Sequence, residues 1–408
     1  MVETIEPTKT AHFHPSDLRA LARIATDATT GIIEIVEDVH MTVVPLPRAL
    51  GVAAEITPLV YRTLRGATRL IGGGAQVTLS QVSELLGRRE NTSQRQAALA
   101  VLNGLWGDYL DKTDSPLALP MAFRFGDSAL APPGDKIAVL IHGLCMNDRG
   151  WERGNSQAHG NSQAHGNGQA HDHGAALARD LGYSPVYLGY NSGLHISTNG
   201  RALAVMLEAL VEAWPRPVRE LVLIGHSMGG MVARSAGYYG AMSGHEWVSR
   251  LRSVVFLGTP HHGAPLERGG NWINVMMTAS PFIAPFSRLG KRRSAGITDL
   301  RYGSLTDEDW VGRDRFAPGP DDRCHVPPLP GVNYYAVAAA LGPRADSLTA
   351  RLLGDGLVPL DSALGQHDDR ERCLAFDESN SWVGYGMNHH DLLGRMEVYE
   401  RMRDWLST

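Results

Sequence analysis

Residues 221–234 read Leu221-Val222-Leu223-Ile224-Gly225-His226-Ser227-Met228-Gly229-Gly230-Met231-Val232-Ala233-Arg234. Four apolar residues closed by a glycine read as a short buried strand, and the small and apolar run after Ser227 reads as a helix over Met228–Tyr239. Between them lies G-x-S-x-G. A strand–turn–helix context puts the serine of that spacing on a sharp, strained turn. A side chain at Gly225 or Gly229 would collide with neighbouring backbone in so tight a turn. The strain lifts the Ser227 hydroxyl above the sheet edge. The helix that follows presents its unpaired N–H groups and positive dipole end to developing negative charge. A glycine-rich turn with a passive serine has the same spacing but lacks the flanking strand and helix.

Working outward, short apolar runs recur at Ile137–Ile141, Val186–Leu188, Val254–Leu257 and Tyr334–Ala339. Continuous runs of this kind suit strands of a parallel sheet buried on both faces. Helical stretches alternate with them, at Ala175–Asp180 and Gly200–Trp214. The alternation predicts an α/β fold with a mostly parallel, doubly wound sheet. The strand Ile137–Ile141 ends in His142-Gly143-Leu144, where the chain turns at the carboxyl end of the sheet. The backbone N–H groups of Leu144 and Met228 are therefore the candidate oxyanion donors. His142 lies upstream of Ser227 and is read as supporting that turn and lining the site with Gly143.

A serine nucleophile needs a base, and the base needs an orienting carboxylate. Acid and then histidine are expected downstream of the serine in this architecture. Asp346, Asp355 and Asp361 all qualify by order. Asp355 is preferred because Gly354 and Gly356 let its carboxylate project from a tight loop. For the base, His367 precedes the solvated run Asp368-Asp369-Arg370, whereas His389 and His390 open a short loop before a C-terminal helical stretch. His389 is favoured and His390 is its rival, because spacing cannot separate adjacent residues.

The chain has 408 residues, 43% hydrophobic and 20% charged, with a net charge of -5. That balance is globular, and the charge gives no general support for nucleic-acid binding. Three cysteines, Cys145, Cys324 and Cys373, form no CxxC pair, so neither a disulfide framework nor a structural zinc site is expected. Residues 1–10 lack a basic segment followed by an apolar run, and no stretch approaches the ~18 apolar residues of a membrane span. A cytoplasmic location is expected.

Residues 1–120 read as a helical extension, distinct from the domain over 121–408. Apolar stripes run Leu18, Leu21, Ala25, Ala28, Ile32, Ile35, Val39, then Ile56 to Ile71, then Ala98, Val101, Leu102, Leu105, Trp106, Tyr109. Arg62, Arg65 and Arg69 flank the second stripe, so peripheral contact with an anionic membrane is an alternative to packing. Seventeen histidines invite a metal-protein reading. Three of them, His159, His165 and His171, end the tandem units GNSQAH, GNSQAH and GNGQAH of residues 154–171, with His173 just beyond. Gly, Asn, Ser and Gln cannot bury enough apolar surface to order such a tract. It is read as a passive loop insertion, with no metal.

The ordered set His142-Gly143, Gly225-His226-Ser227-Met228-Gly229-Gly230, Thr259-Pro260-His261-His262-Gly263, Gly354-Asp355-Gly356-Leu357-Val358-Pro359 and Asn388-His389-His390-Asp391-Leu392-Leu393 resembles the bacterial lipases and esterases of the α/β-hydrolase superfamily. Within it the chain is similar to the triacylglycerol-lipase and GPI-inositol-deacylase-like group, over roughly residues 121–408. The resemblance implies an α/β-hydrolase fold, supports Asp355 and His389, and makes the His261-His262 turn structural and site-lining. It implies ester hydrolysis through an acyl-enzyme, with no cofactor, on a small-molecule or lipid ester.

Residues of about 264–330 are long enough for a cap. There Met276, Phe282 and Phe286 suit an adaptable acyl-binding wall. The rival readings are an acyltransferase or amidase with the same triad, and a non-catalytic lipid-binding protein on this fold.

Overall fold

The computed structural model describes residues 93–126, 133–152, 171–264, 293–314, 321–344 and 354–407. Its centre is a seven-stranded sheet. The strands are β1 (Ala122–Phe125), β2 (Lys136–Ile141), β3 (Ser184–Gly189), β4 (Glu220–His226), β5 (Leu251–Leu257), β6 (Asn333–Ala340) and β7 (Ser381–Tyr385), in the spatial order β1-β3-β2-β4-β5-β6-β7. All neighbours are parallel except β1, which closes one edge antiparallel to β3 with Ala122 opposite Gly189.

The apolar runs are continuous because both faces are covered. In β2, Ile137, Val139 and Ile141 face one core while Ala138 and Leu140 face the other. β4 divides likewise, Leu221 and Leu223 against Val222 and Ile224, and β5 sets Val254 and Phe256 against Val255 and Leu257. This is the period-two split of a doubly wound sheet. The first face carries helices α1 (Ser93–Lys112), α3 (Ile196–Ala213) and α4 (Met228–Met242). The second carries α2 (His173–Leu181) and the C-terminal helix α8 (Met396–Leu406). Short helices α5 (Trp247–Arg250), α6 (Ala295–Asp299) and α7 (Leu360–Ala363) fill connections.

α1 carries the third apolar stripe. Val101, Leu102, Leu105, Trp106 and Leu110 are buried in the same core as β2. This helix falls within the 1–120 extension by sequence, yet it shares the interior of the sheet domain. The Ser294 hydroxyl donates to the Gly104 carbonyl at 2.6 Å, tying α1 to the start of α6. The two earlier stripes lie outside the described residues. Among the described residues no helix is long and apolar enough to cross a membrane.

The end of the last hexad and the residues just beyond it differ from the passive-loop reading. His173 is the first residue of α2, whose N-cap Asp172 accepts from the Ala175 N–H at 3.0 Å. His171 is only 8% exposed and His173 is fully buried. Their rings lie 5.0 Å apart, and the His171 ring lies 4.6 Å from that of Tyr399. Local capping chemistry and aromatic packing decide these two positions, not the composition of the preceding tract.

The strand order positions the site. From β2 the chain crosses to β3 on one side, then returns to β4 on the other. The strand order thus reverses between β2 and β4, the place where α/β sheets set their sites. The loops leaving these two strands carry Gly143-Leu144 and Ser227.

Candidate active site

Ser227 stands between β4 and α4 with φ 55° and ψ −127°. A serine held at positive φ is strained, at a cost of order 1–3 kcal/mol. The surroundings enforce it: the Ser227 N–H donates to the Leu257 carbonyl at 2.8 Å, and the Gly230 N–H donates to the Ser227 carbonyl at 3.1 Å. The flanking glycines are required by close approach. A Cβ at Gly225 would lie 2.4 Å from the Gly230 backbone, and one at Gly229 would lie 2.3 Å from the Ile141 carbonyl oxygen.

The loop after β2 passes directly beside the serine. A Cβ at Gly143 would lie 2.9 Å from the Ser227 Cβ and 3.2 Å from the His226 Nδ1. Leu144 and Met228 are both buried. Met228 is the first residue of α4, so its N–H has no acceptor within the helix. Gly143→Ala is expected to push this loop off the serine and lower kcat by roughly tenfold to a hundredfold, with Tm lower by a few degrees from overpacking of about 1–3 kcal/mol. Ester kinetics beside a thermal melt check it; unchanged kcat would refute the close fit.

Asp355 and His389 are brought together from separate loops. His389 Nδ1 donates to Asp355 Oδ2 at 2.6 Å, and the His389 N–H donates to the Asp355 carbonyl at 3.1 Å. The other carboxylate oxygen accepts from the N–H groups of Leu357 at 2.9 Å and Val358 at 2.7 Å. Gly354 turns this loop in the left-handed region at φ 54°. Three donors thus satisfy a carboxylate that is 2% exposed, as a buried charge requires. An imidazole donating from Nδ1 leaves Nε2 as its proton acceptor. The His389 ring also packs on Gly258, where a Cβ would come within 3.1 Å of it. Gly258 directly follows Leu257, the residue that accepts from the Ser227 N–H. His390 is half-buried, and its N–H is taken by the Asn388 side chain at 2.9 Å.

His142 is fully buried beneath Tyr190, with ring centroids 4.3 Å apart. Its Nδ1 donates to the Gly143 carbonyl at 2.8 Å, while the Tyr190 hydroxyl donates to the His142 carbonyl at 2.8 Å. It acts on the site through the turn that it braces. His261 is 1% exposed and packs edge-on against Phe256. Arg234 donates to its Nδ1 at 3.4 Å, so its described contacts are those of a buried turn. His262 accepts from Arg323 at 2.8 Å. Met276, Phe282 and Phe286 lie outside the described residues.

Several positioning groups escape a reading by motif. His226 Nε2 donates to the His389 carbonyl at 3.1 Å, and His173 Nε2 donates to the Leu392 carbonyl at 2.9 Å. Both hold the loop that carries His389. The Ser192 hydroxyl accepts from the Cys145 N–H at 3.1 Å, steadying the turn past Leu144. The only available signal was polar residues immediately after apolar strands, as in Tyr190-Asn191-Ser192.

Burial holds the His142 imidazole down at about 4 and the His173 imidazole down at about 3. An unfolded histidine titrates near 6.5. Between those limits the unfolded chain binds protons that the fold excludes. Stability is therefore full above pH 6.5 and falls as pH drops toward 4, by about 1.4 kcal/mol per pH unit for each imidazole. Denaturant unfolding at stepped pH checks this; a flat profile between pH 6.5 and 4.5 would refute it.

Residues 134–308 match the PGAP1-like alpha/beta domain. No curated protein matches the chain. Among solved structures, the chain is similar to the mature form of the Bacillus licheniformis lipase BlEst2, at 18% identity and TM-score 0.43, over 70% of this chain and 98% of that one. It is also similar to the Pyrococcus furiosus esterase PF2001, at 13% identity and TM-score 0.37, over 70% and 84%. A thermophilic esterase from Thermogutta terrifontis aligns at 13% identity and TM-score 0.36, over 70% and 93%.

Proposed function

We propose, from the premise that this chain is an α/β-hydrolase, that it is a serine hydrolase cleaving carboxylic esters through an acyl-enzyme. The observations that carry the reading are the 2.6 Å bond from His389 Nδ1 to a buried, fully hydrogen-bonded Asp355 and a serine held at positive φ on the elbow.

His389 Nε2 takes the Ser227 proton as the hydroxyl oxygen attacks the ester carbonyl. Asp355 keeps the imidazole in the required tautomer and stabilises its charged form. The N–H groups of Leu144 and Met228 receive the oxyanion, which collapses as His389 returns the proton to the leaving alcohol. Water, activated by the same imidazole, then frees the acid and regenerates the serine. No step calls on a metal or cofactor. Met276, Phe282 and Phe286 remain the proposed acyl wall, and the substrate is a small-molecule or lipid ester.

The test pairs a serine-directed fluorophosphonate with a p-nitrophenyl ester chain-length series. Labelling and hydrolysis in the full chain, both lost in Ser227→Ala, support the reading. Neither labelling nor hydrolysis would leave a non-catalytic lipid-binding role. Amide substrates and alcohol acceptors in the same assay separate amidase and acyltransferase from esterase.

A further inference from the structure

α1 belongs by sequence to the 1–120 extension, yet it reaches the site through backbone contact. The turn Gly143–Met146 follows β2 and is closed by the Met146 N–H donating to the Gly143 carbonyl at 3.3 Å. Its third residue, Cys145, stands at φ 60°. Glycine is the usual residue at such a place, because a side chain disfavours positive φ. Among the described non-glycine residues only Asp114 and Ser227 share the feature.

Two contacts hold this strained turn. The Cys145 N–H donates to the buried Ser192 hydroxyl at 3.1 Å. A Cβ added to Gly104 of α1 would lie 2.9 Å from both the N and the Cα of Cys145. Those are backbone atoms, which cannot swing aside as the tip of a side chain can. α1 is shaped to this contact. Trp106 leaves helical geometry at φ −139° and ψ 19°. On either side of it the Gly104 carbonyl accepts from the Ser294 hydroxyl at 2.6 Å and the Gly107 carbonyl accepts from Asn191 Nδ2 at 3.0 Å. The Ser192 loop is seated on the same helix, where a Cβ at Gly193 would lie 2.1 Å from the Asn103 carbonyl oxygen. Burial pushes the Cys145 thiol up to about 12, so it stays protonated at neutral pH and brings no nucleophile of its own.

Leu144 is thereby caught between two close backbone approaches. Gly143 before it meets Ser227, and Cys145 after it meets Gly104. We propose that α1 is part of the ester-cleaving machinery, with Gly104 and Ser192 as positioning residues that hold the Gly143–Met146 turn, and with it the Leu144 N–H, at the serine. This rests on the reading of Ser227 as nucleophile and Leu144 as oxyanion donor. A donor shifted from the oxyanion is missed in the transition state and not in the bound ester, so the loss falls on kcat and spares KM.

The test measures kcat and KM for p-nitrophenyl butyrate, inhibition by butaneboronic acid, and Tm, in full-length wild type, Gly104→Ala and Ser192→Ala. The boronic acid adds to a serine oxygen as a tetrahedral anion and so reports on the oxyanion donors directly. The expected result is kcat about tenfold lower in each variant, KM within about twofold, and boronic-acid inhibition weaker by about the same factor as kcat. A purely structural role would lower Tm and leave kcat and inhibition below the melt as they are. Should Gly104→Ala fail to fold, Ser192→Ala, which removes a single oxygen, decides. Folded variants of an active wild type with unchanged kcat, or with lowered kcat and unchanged inhibition, overturn this proposal alone. A wild type that neither turns over ester nor labels with fluorophosphonate overturns the hydrolase reading, and this proposal with it.

Discussion

Ser227→Ala is expected to lower kcat for ester hydrolysis by a factor on the order of 10⁴ or more, with little change in folding. The magnitude follows from the chemistry. In the proposed mechanism nucleophile and base act as a unit, so losing the oxygen that attacks removes the whole covalent route. Only binding and the oxyanion donors then remain, and these sustain a residual rate. The folding side follows from geometry. The bonds that hold the elbow use the Ser227 backbone, through Leu257 and Gly230, and alanine keeps both. Alanine also tolerates the φ of 55° no worse than serine does. Active-site titration with the fluorophosphonate and a circular-dichroism melt measure the two sides together. Retained turnover in a folded Ser227→Ala protein would remove the serine from the mechanism.

His389→Ala is expected to be almost as damaging, about 10³-fold or more in kcat, while His390→Ala stays within about tenfold of the wild type. The two residues are neighbours in sequence but not in environment. His389 is 4% exposed, its side chain is bonded to Asp355, and its backbone is held by both Asp355 and His226. His390 faces partly outward on a turn organised by Asn388. Kinetics of both variants on one p-nitrophenyl ester settle the pair. An inactive His390→Ala beside an active His389→Ala would transfer the role of base.

The central strands were legible because each carries an uninterrupted apolar run, and burial on both faces leaves no other pattern. β1 and β7 were not. Ala-Phe-Arg-Phe is four residues with a charge inside it, and Ser-Trp-Val-Gly-Tyr starts polar and carries a glycine. Each lies at an edge, with one neighbouring strand, so its sequence is under weaker constraint. Gly225 and Gly229 announced the elbow because contacts of 2.3–2.4 Å tolerate no side chain there. Asp355 stood out by its glycines, but adjacent histidines are indistinguishable by spacing, and only the fold turns one of them toward the carboxylate. His173 opens a helix instead of continuing the loop, because the composition of the hexads says nothing past their end, and His171, the last hexad residue, is buried by the Tyr399 ring. An aspartate followed by an Ala-rich run is itself a helix-start signal. The braces from His173, His226 and Tyr190 join residues far apart in sequence, which periodicity cannot reveal.

The anchoring of the chain on either side of the hexads bears on how this sequence can change over time. On one side Trp151 is fully buried, and Glu152 pairs with Arg124 at 2.6 Å. On the other, Asp172 caps α2 and His173 grips the Leu392 carbonyl. Adding or deleting one six-residue unit between two fixed ends changes loop-closure entropy by only about 0.2–0.4 kcal/mol. Replication slippage can therefore alter the number of units while the register of both anchors, and the His389 loop that rests on one of them, stays where it is.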